Sequence, residues 1–251
     1  MIRSRRVAEA FGAAATRYED HAPVQAHAAR RLAQQLATLS LPEAPRILEI
    51  GCGSGLLSRH LLRLFPTGHF LLTDLSFGML QVARTHLDAP PGGRLSLAVM
   101  DGEALAVTGG FDLIVSGLTW QWFGDPMASF ARAIALLNPG GWLLVSTLGA
   151  ENFPEWRALC AAARLPHGMP DYPSCQDWEK RLAPEGKLEE EWFPMAYDSA
   201  LAFLQSLRAL GAHQPAADHH PVPGGALRRV LRSRETGFLV RYRLLYIRIQ
   251  S

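Results

Sequence analysis

The sequence predicts an α/β domain built on a mostly parallel sheet, and three observations carry that expectation. From Arg46 to Gly149, short apolar runs alternate with helical stretches, the rhythm of strands joined by crossover helices. The runs are apolar on successive residues, as strands buried on both faces must be. The first run ends in ILEIGCGSG, residues 47–55, where Gly51, Gly53 and Gly55 stand at alternating positions.

The elements follow in order. Residues 4–39 read as two helices joined near Pro23. RILEI (46–50) is the first strand, GLLSRHLLRLF (55–65) its helix, HFLLTD (69–74) the second strand and SFGMLQVARTHL (76–87) the next helix. RLSLAVM (94–100) and FDLIVSG (111–117) read as strands three and four. The helix DPMASFARAIALL (125–137) is closed by NPGG, and GWLLVSTLG (141–149) is the fifth strand. Then the rhythm changes: residues 151–185 are rich in Pro and Trp, with two short helical patterns. KLEEEWFPMAY (187–197) reads as a strand, SALAFLQSLRALGA (199–212) as a helix, 213–225 as a polar loop and GFLVRYRLLYIRIQ (237–250) as the last strand.

Bulk properties narrow the function. With 251 residues, 48% of them hydrophobic and 19% charged, the chain suits one large domain that buries its own core. No apolar stretch approaches the ~20 residues of a membrane span. The basic N-terminus is interrupted by acids and leads into no apolar leader pattern, so a cytoplasmic protein is expected, with no membrane partner. Cys52, Cys160 and Cys175 are odd in number and lack C-x-x-C spacing, which argues for reduced, buried thiols over disulfides or zinc. A net charge of +2 gives no ground for a nucleic-acid partner. Arg228, Arg229, Arg232, Arg234, Arg241, Arg243 and Arg248 crowd the C-terminal stretch with only Glu235 against them. They read either as a solvated face with stems packed on the sheet or as a docking surface for an acidic partner. His213, His219 and His220, with Asp218 alone beside them, read as a solvated loop, and no metal is expected.

In a strand–glycine–helix unit the missing side chains let the turn fold tightly and let a ligand lie against backbone N–H groups. A dinucleotide fingerprint needs G-x-G-x-x-G, yet Leu56 or Ser58 occupies its third glycine position here. Asp74 ends the second strand, 19 residues beyond Gly55, where a carboxylate accepts from both ribose hydroxyls. Asp101, in MDGEAL, follows the third strand, within reach of an adenine amino group. Acids at the carboxyl ends of successive strands lie where open α/β sheets bind ligands.

With these motifs, residues 44–150 and the C-terminal strands resemble the class I S-adenosylmethionine-dependent methyltransferases. The resemblance implies a Rossmann-like, seven-stranded, mostly parallel sheet with an antiparallel last strand and helices on both faces. It also implies that Glu49, Gly51, Gly53 and Gly55 surround the methionine part of the cofactor, that Asp74 holds the ribose, that Leu75 and Met79 line the adenine side, and that Asp101 and Gly102 close it. The single domain then divides into a helical lid (1–43), a cofactor-binding core (44–150), an acceptor-side insertion with late core elements (151–225) and a C-terminal strand region (226–251).

Four further stretches, FGAAATRYEDHAPVQ (11–25), LTWQWFGD (118–125), STLGAENFPEWR (146–157) and SLRALGA (206–212), are similar to the malonyl-carrier-protein O-methyltransferases of biotin synthesis. Arg208 and Leu210 replace that family's usual Lys and Ile. The resemblance implies transfer of the S-adenosylmethionine methyl group to the free carboxylate of malonyl-acyl carrier protein. Such a carboxylate is ionised at neutral pH and needs no general base, and no Ser-His-Asp, Cys-His or metal constellation is evident. It does need a partner, so Arg157 and Arg208 are candidates, with at least one expected to face the pocket. Tyr18 and Gln25, seven residues apart, would share a helix face over the cofactor's methyl end unless the chain breaks near Pro23. Gln121 and Trp122 are expected at the acceptor, with one of Trp120 and Trp122 in the core. Another small carboxylic acid, a quinone-like ring, or a non-catalytic cofactor-binding subunit are the alternatives.

Overall fold

The computed structural model describes residues 2–182, 186–212, 222, 224–232 and 236–251. The helices are α1 (Ile2–Ala14), α2 (Pro23–Leu36), α3 (Ser58–Leu64), α4 (Phe77–His86), α5 (Pro126–Ile134), α6 (Pro154–Ala162), α7 (Cys175–Glu179), α8 (Ala200–Ala209) and α9 (Gly224–Arg232). The strands are β1 (Arg46–Ile50), β2 (His69–Asp74), β3 (Leu95–Val99), β4 (Phe111–Gly117), β5 (Leu137–Leu148), β6 (Lys187–Tyr197) and β7 (Phe238–Gln250). They form one sheet in the order β3-β2-β1-β4-β5-β7-β6. Only β7 runs antiparallel to its neighbours, which is the seven-stranded arrangement the methyltransferase resemblance implies.

The apolar runs are central because both of their faces are covered. Ile47, Leu72, Leu113 and Leu144 face one layer with Leu32, Leu61, Trp156 and Phe203 from α2, α3, α6 and α8. Their chain neighbours Leu48, Ile114, Leu143 and Val145 face the other, against Phe130 of α5 and Trp178 of α7. The order reverses between β1 and β4, so the loops leaving these two strands part in opposite directions and open a crevice at their carboxyl ends.

Several elements differ from the sequence expectation. NPGG does not merely stop a helix. α5 ends at Ile134, and Asn138–Gly141 belong to β5, where the pairing slips between Phe111 opposite Leu137 and Leu113 opposite Trp142. Gly140 takes up the slip with φ +77°. In the N-terminal segment the expected break before Pro23 is present and longer than a simple joint, two 3-10 turns (Ala15–Arg17 and Glu19–His21) separating α1 from α2, so Tyr18 and Gln25 do not share one helix face. The helix α9 was not foreseen in a region read as loop and strand. Leu227, Val230 and Leu231, at helical spacing, pack on the first layer while Arg228, Arg229 and Arg232 point outward. The β7 arginines are stacked on the sheet: Arg241 pairs with Glu155 and lies over Trp192, Arg243 pairs with Glu190 over the same ring, and Arg248 covers Trp142. His213, Asp218, His219, His220, Arg234 and Glu235 lie outside the described residues.

α8 is anchored by Phe203, which is fully buried among the rings of Phe153, Trp156, Tyr197 and Phe238. Phe203→Ala is expected to cost about 3–5 kcal/mol through lost transfer energy and an unfilled cavity. Urea unfolding should show a lower midpoint at an unchanged slope.

Candidate active site

The glycines of the β1 exit serve different needs. Gly51, Gly53 and Gly55 have φ of +73°, +55° and +94°, conformations that side chains disfavour. A Cβ on Gly51 would stand 2.2 Å from Thr119 Oγ1, so this glycine lets the β1 and β4 exits touch. A Cβ on Gly53 would meet no protein atom within 4 Å and would project into open space. The loop is pinned from β2: Gly51 N and Cys52 N both donate to Thr73 O at 2.8 Å, and Gly53 N donates to Asp74 Oδ2 at 2.9 Å.

That open space is a cleft of about 730 Å³ lined by Gly51, Gly53, Asp74, Leu75, Met79, Asp101 and Gly102 of the expected set, together with Tyr18 and Trp122. Glu103, outside that set, also lines it, and accepts from Gly124 N and Asp125 N. Glu49 and Gly55 do not line the cleft. Glu49 lies beneath the loop, accepts from Ser58 Oγ at 2.6 Å, and burial pushes its carboxyl pKa up to about 8. Burial likewise raises Asp74, against the backbone N–H groups of Ser76 and Gly53 that favour its ionised form. Among the described residues, three carboxylates and no lysine or arginine line this cleft. Such a wall suits a sulfonium-bearing adenosyl ligand and would repel a pyrophosphate, so the residues present fit S-adenosylmethionine.

A second cavity of about 570 Å³ adjoins the first, sharing Phe11, Tyr18, Leu118 and Trp122 with it. Its polar lining consists of Gln25, Gln121 and the tyrosines. Gln121 is held as a wall by Leu118 O and Thr147 Oγ1, whereas Gln25 Oε1 is buried with no hydrogen-bond partner. Two lining residues, Leu118 and Phe153, take left-handed φ of +48° and +59°, a strain that collects at functional sites. Trp120 is the core tryptophan, its Nε1 donating to Pro126 O, and Trp122 the one facing the cavities.

Arg157 and Arg208 are not brought to either cavity. Arg157 Nε donates to Asn152 O at 2.8 Å and its Nη1 lies 2.8 Å from His167 Nε2, which turns the guanidinium toward the loop after α6. Arg208 is exposed on α8, on the side away from the cavity-lining Leu207 and Leu210. Among the described residues no cation takes their place in the lining, and no three metal-ligating side chains gather elsewhere.

Glu19 is a site residue that the sequence did not single out. Its Oε1 accepts from Ser54 Oγ (2.7 Å) and Arg59 Nη1 (3.1 Å) and lies 3.1 Å from His86 Nδ1, while Oε2 accepts from Arg59 Nη2 at 2.9 Å. Partial burial opposes ionisation, but the Arg59 and Ser54 hydrogen bonds prevail and hold the carboxyl below its ordinary value. Glu19 thereby ties the junction that carries Tyr18 to the glycine loop itself. No local motif marks it, because its partners lie 35 to 67 residues away.

Two tests follow from this geometry. Gly53→Ala should fold, at a cost of about 1–2 kcal/mol for its left-handed backbone, yet lose S-adenosylhomocysteine binding in calorimetry. Gly51→Ala should instead lose stability itself, because its Cβ collides with Thr119. Glu19→Ala should raise the KM for S-adenosylmethionine roughly five- to tenfold, equivalent to about 1 kcal/mol, with a smaller change in kcat.

Comparison with known proteins agrees with the site. A methyltransferase-domain family profile matches residues 24–186. Malonyl-[acyl-carrier protein] O-methyltransferase of Magnetococcus marinus is 46% identical over 249 residues, covering 97% of this chain and 92% of that protein. The biotin biosynthesis bifunctional protein BioCD of Bordetella avium is 43% identical over 96% of this chain, and the match takes up 51% of that longer protein. Among solved structures, YcgJ of Bacillus subtilis has a TM-score of 0.63 at 15% identity, over 90% of this chain and 98% of its own. Haemonchus contortus phosphoethanolamine N-methyltransferase 2, solved with S-adenosylhomocysteine, has a TM-score of 0.55 at 16% identity, over 88% of this chain and 52% of its own. At these identities the structural likeness shows the fold alone. Sequence identity over nearly the full length, with an acid-lined cleft at the exits of β1 to β3, shows that the chain belongs to the malonyl-[acyl-carrier protein] O-methyltransferase family of S-adenosylmethionine-dependent methyltransferases.

Proposed function

We propose that this methyltransferase esterifies the free carboxylate of a malonyl group carried as a thioester on acyl carrier protein, giving the methyl ester that starts biotin synthesis. The observation that carries this reading is the pairing of two unlike cavities: an acid-lined cleft, with no cation among its described lining residues, opens through Tyr18 and Trp122 onto an apolar chamber whose described polar atoms are neutral. S-adenosylmethionine, when bound, supplies an electrophilic methyl group on a sulfonium.

The chain's own residues have the remaining tasks. Asp74 and Asp101 take the ribose and adenine ends, Leu75 and Met79 cover the adenine, and Gly51 and Gly53 leave room for the methionine part. The acceptor carboxylate needs no deprotonation, so positioning and water exclusion do the catalytic work. Tyr18, in the wall common to both cavities, is a neutral donor: burial first, then the charges of Asp74 and Glu19, raise its phenol pKa well above the ordinary value. Gln25 offers an amide with no partner for its oxygen, and turning that amide over presents N–H groups to the carboxylate. Gln121 and Trp122 shape the chamber. Arg157 and Arg208 have no part in this reading, since neither guanidinium lines it. A weakly solvated carboxylate is a stronger nucleophile, and its uncharged ester suits apolar walls better than the acid does. A carrier-bound substrate supports a cytoplasmic setting for the enzyme; no helix among the described residues is long and apolar enough to cross a membrane.

The test is transfer from S-adenosylmethionine to a panel of malonyl-carrier protein, malonyl-coenzyme A, free malonate and a quinol, with products read by mass spectrometry. Malonyl methyl ester on the carrier protein is the expected main product. Transfer to another acceptor without carrier-bound ester would overturn the assignment.

A further inference from the structure

α1 and α8 each have two working sides. Val7 and Phe11 of α1 line the cofactor cleft, and Phe11 lines the acceptor chamber together with Leu207 of α8 and Leu210 just beyond it. On the opposite side the same two helices enclose an open groove bordered by Arg6, Arg17 and Arg208, over a floor that includes Ala10, Ala13 and Ala209. The helices touch closely enough that a Cβ on Gly211 would stand 2.7 Å from Ala10 O. Glu9, the one acid among the described residues at the groove, is already paired with Arg5 at 2.9 Å. Arg6, Arg17 and Arg208 are exposed and have no ion-pair partner among the described residues. The β7 arginines differ, being spent on Glu155, Glu190 and the rings of Trp192 and Trp142.

We infer that the arginine-lined groove between α1 and α8 is the docking surface for the acidic carrier protein. The inference rests on the acceptor reading above and extends it from the reacting group to the protein that bears it. Charge complementarity selects this partner: acyl carrier proteins are acidic, and unpaired cations over a smooth alanine floor attract such a face at long range while leaving it free to depart. Position selects it too. A partner seated here is one helix diameter, about 10 Å, from the acceptor chamber, so a flexible thioester arm enters beside the lid without crossing the sheet.

The charge-reversed variant Arg6→Glu/Arg17→Glu tests this. Its KM for malonyl-carrier protein should rise about tenfold or more, with kcat little changed and a weaker salt dependence than the native enzyme. Its kcat/KM for malonyl carried on a short pantetheine analogue, and its affinity for S-adenosylhomocysteine, should stay within about twofold. An unchanged KM for the carrier protein would overturn the inference, as would an equal loss on both malonyl substrates. So would a comparable rise in KM from Arg228→Glu/Arg229→Glu with the groove intact. Calorimetric binding of holo-carrier protein lacking malonyl reads docking without methyl transfer. If native enzyme binds it and the groove variant does not, docking stands even where the acceptor assignment fails; equal binding by both overturns it.

Discussion

The contact between the exits of β1 and β4 is the constraint on which the site depends. Gly51 and Thr119 meet where no Cβ has room, and that closeness holds together the two strands at which the sheet order reverses. With the strand ends fixed, the loops must part, and the space between them becomes the cleft. Gly53 then faces the open cleft because Thr73 O and Asp74 Oδ2 hold the loop from the next strand. One backbone approach therefore sets cleft shape, ligand access and the aim of Asp74.

Charge follows from the same geometry. Glu49 and Asp74 are carboxyl groups from adjacent strands, both largely removed from water, and the Asp74 charge adds to the burial that opposes ionisation of Glu49. Glu49, pushed up to about 8, is mostly protonated at neutral pH without a ligand. A bound cation would offset the cost that burial places on the Asp74 charge at the cleft wall, and an anionic ligand would add to that cost. The cleft thus discriminates by charge sign before any hydrogen bond to the adenosine is counted.

The parts legible in the sequence were those that local pattern dictates. β1, β2 and β4 were readable because they are buried on both faces, the edge strand β3 because its run stays largely apolar, and Asp74 and Asp101 because strand ends have fixed spacing. The register slip at Asn138–Gly141 was hidden because NPGG satisfies a helix stop and a bulge equally well. α9 was obscured by its arginines, although Leu227, Val230 and Leu231 carried a helical period. Arg157 and Arg208 were expected at the acceptor on chemical need alone. Their aim depends on Asn152, His167 and the rotation of α8, none of which a linear pattern reports. Glu19 was missed for the converse reason: its importance lies wholly in partners distant along the chain.

The N-terminal junction shows what the break between α1 and α2 does for this site. The chain makes two 3-10 turns around Tyr18, and near three residues per turn successive side chains leave the axis about 120° apart. Arg17 consequently faces the outer groove, Tyr18 the two cavities, and Glu19 the glycine loop. In an unbroken α-helix Tyr18 and Gln25 would have lined up on one stripe, but Arg17 and Glu19 would have flanked Tyr18 less widely. The turn thus distributes three consecutive residues to the outer groove, the wall common to both cavities and the cofactor loop.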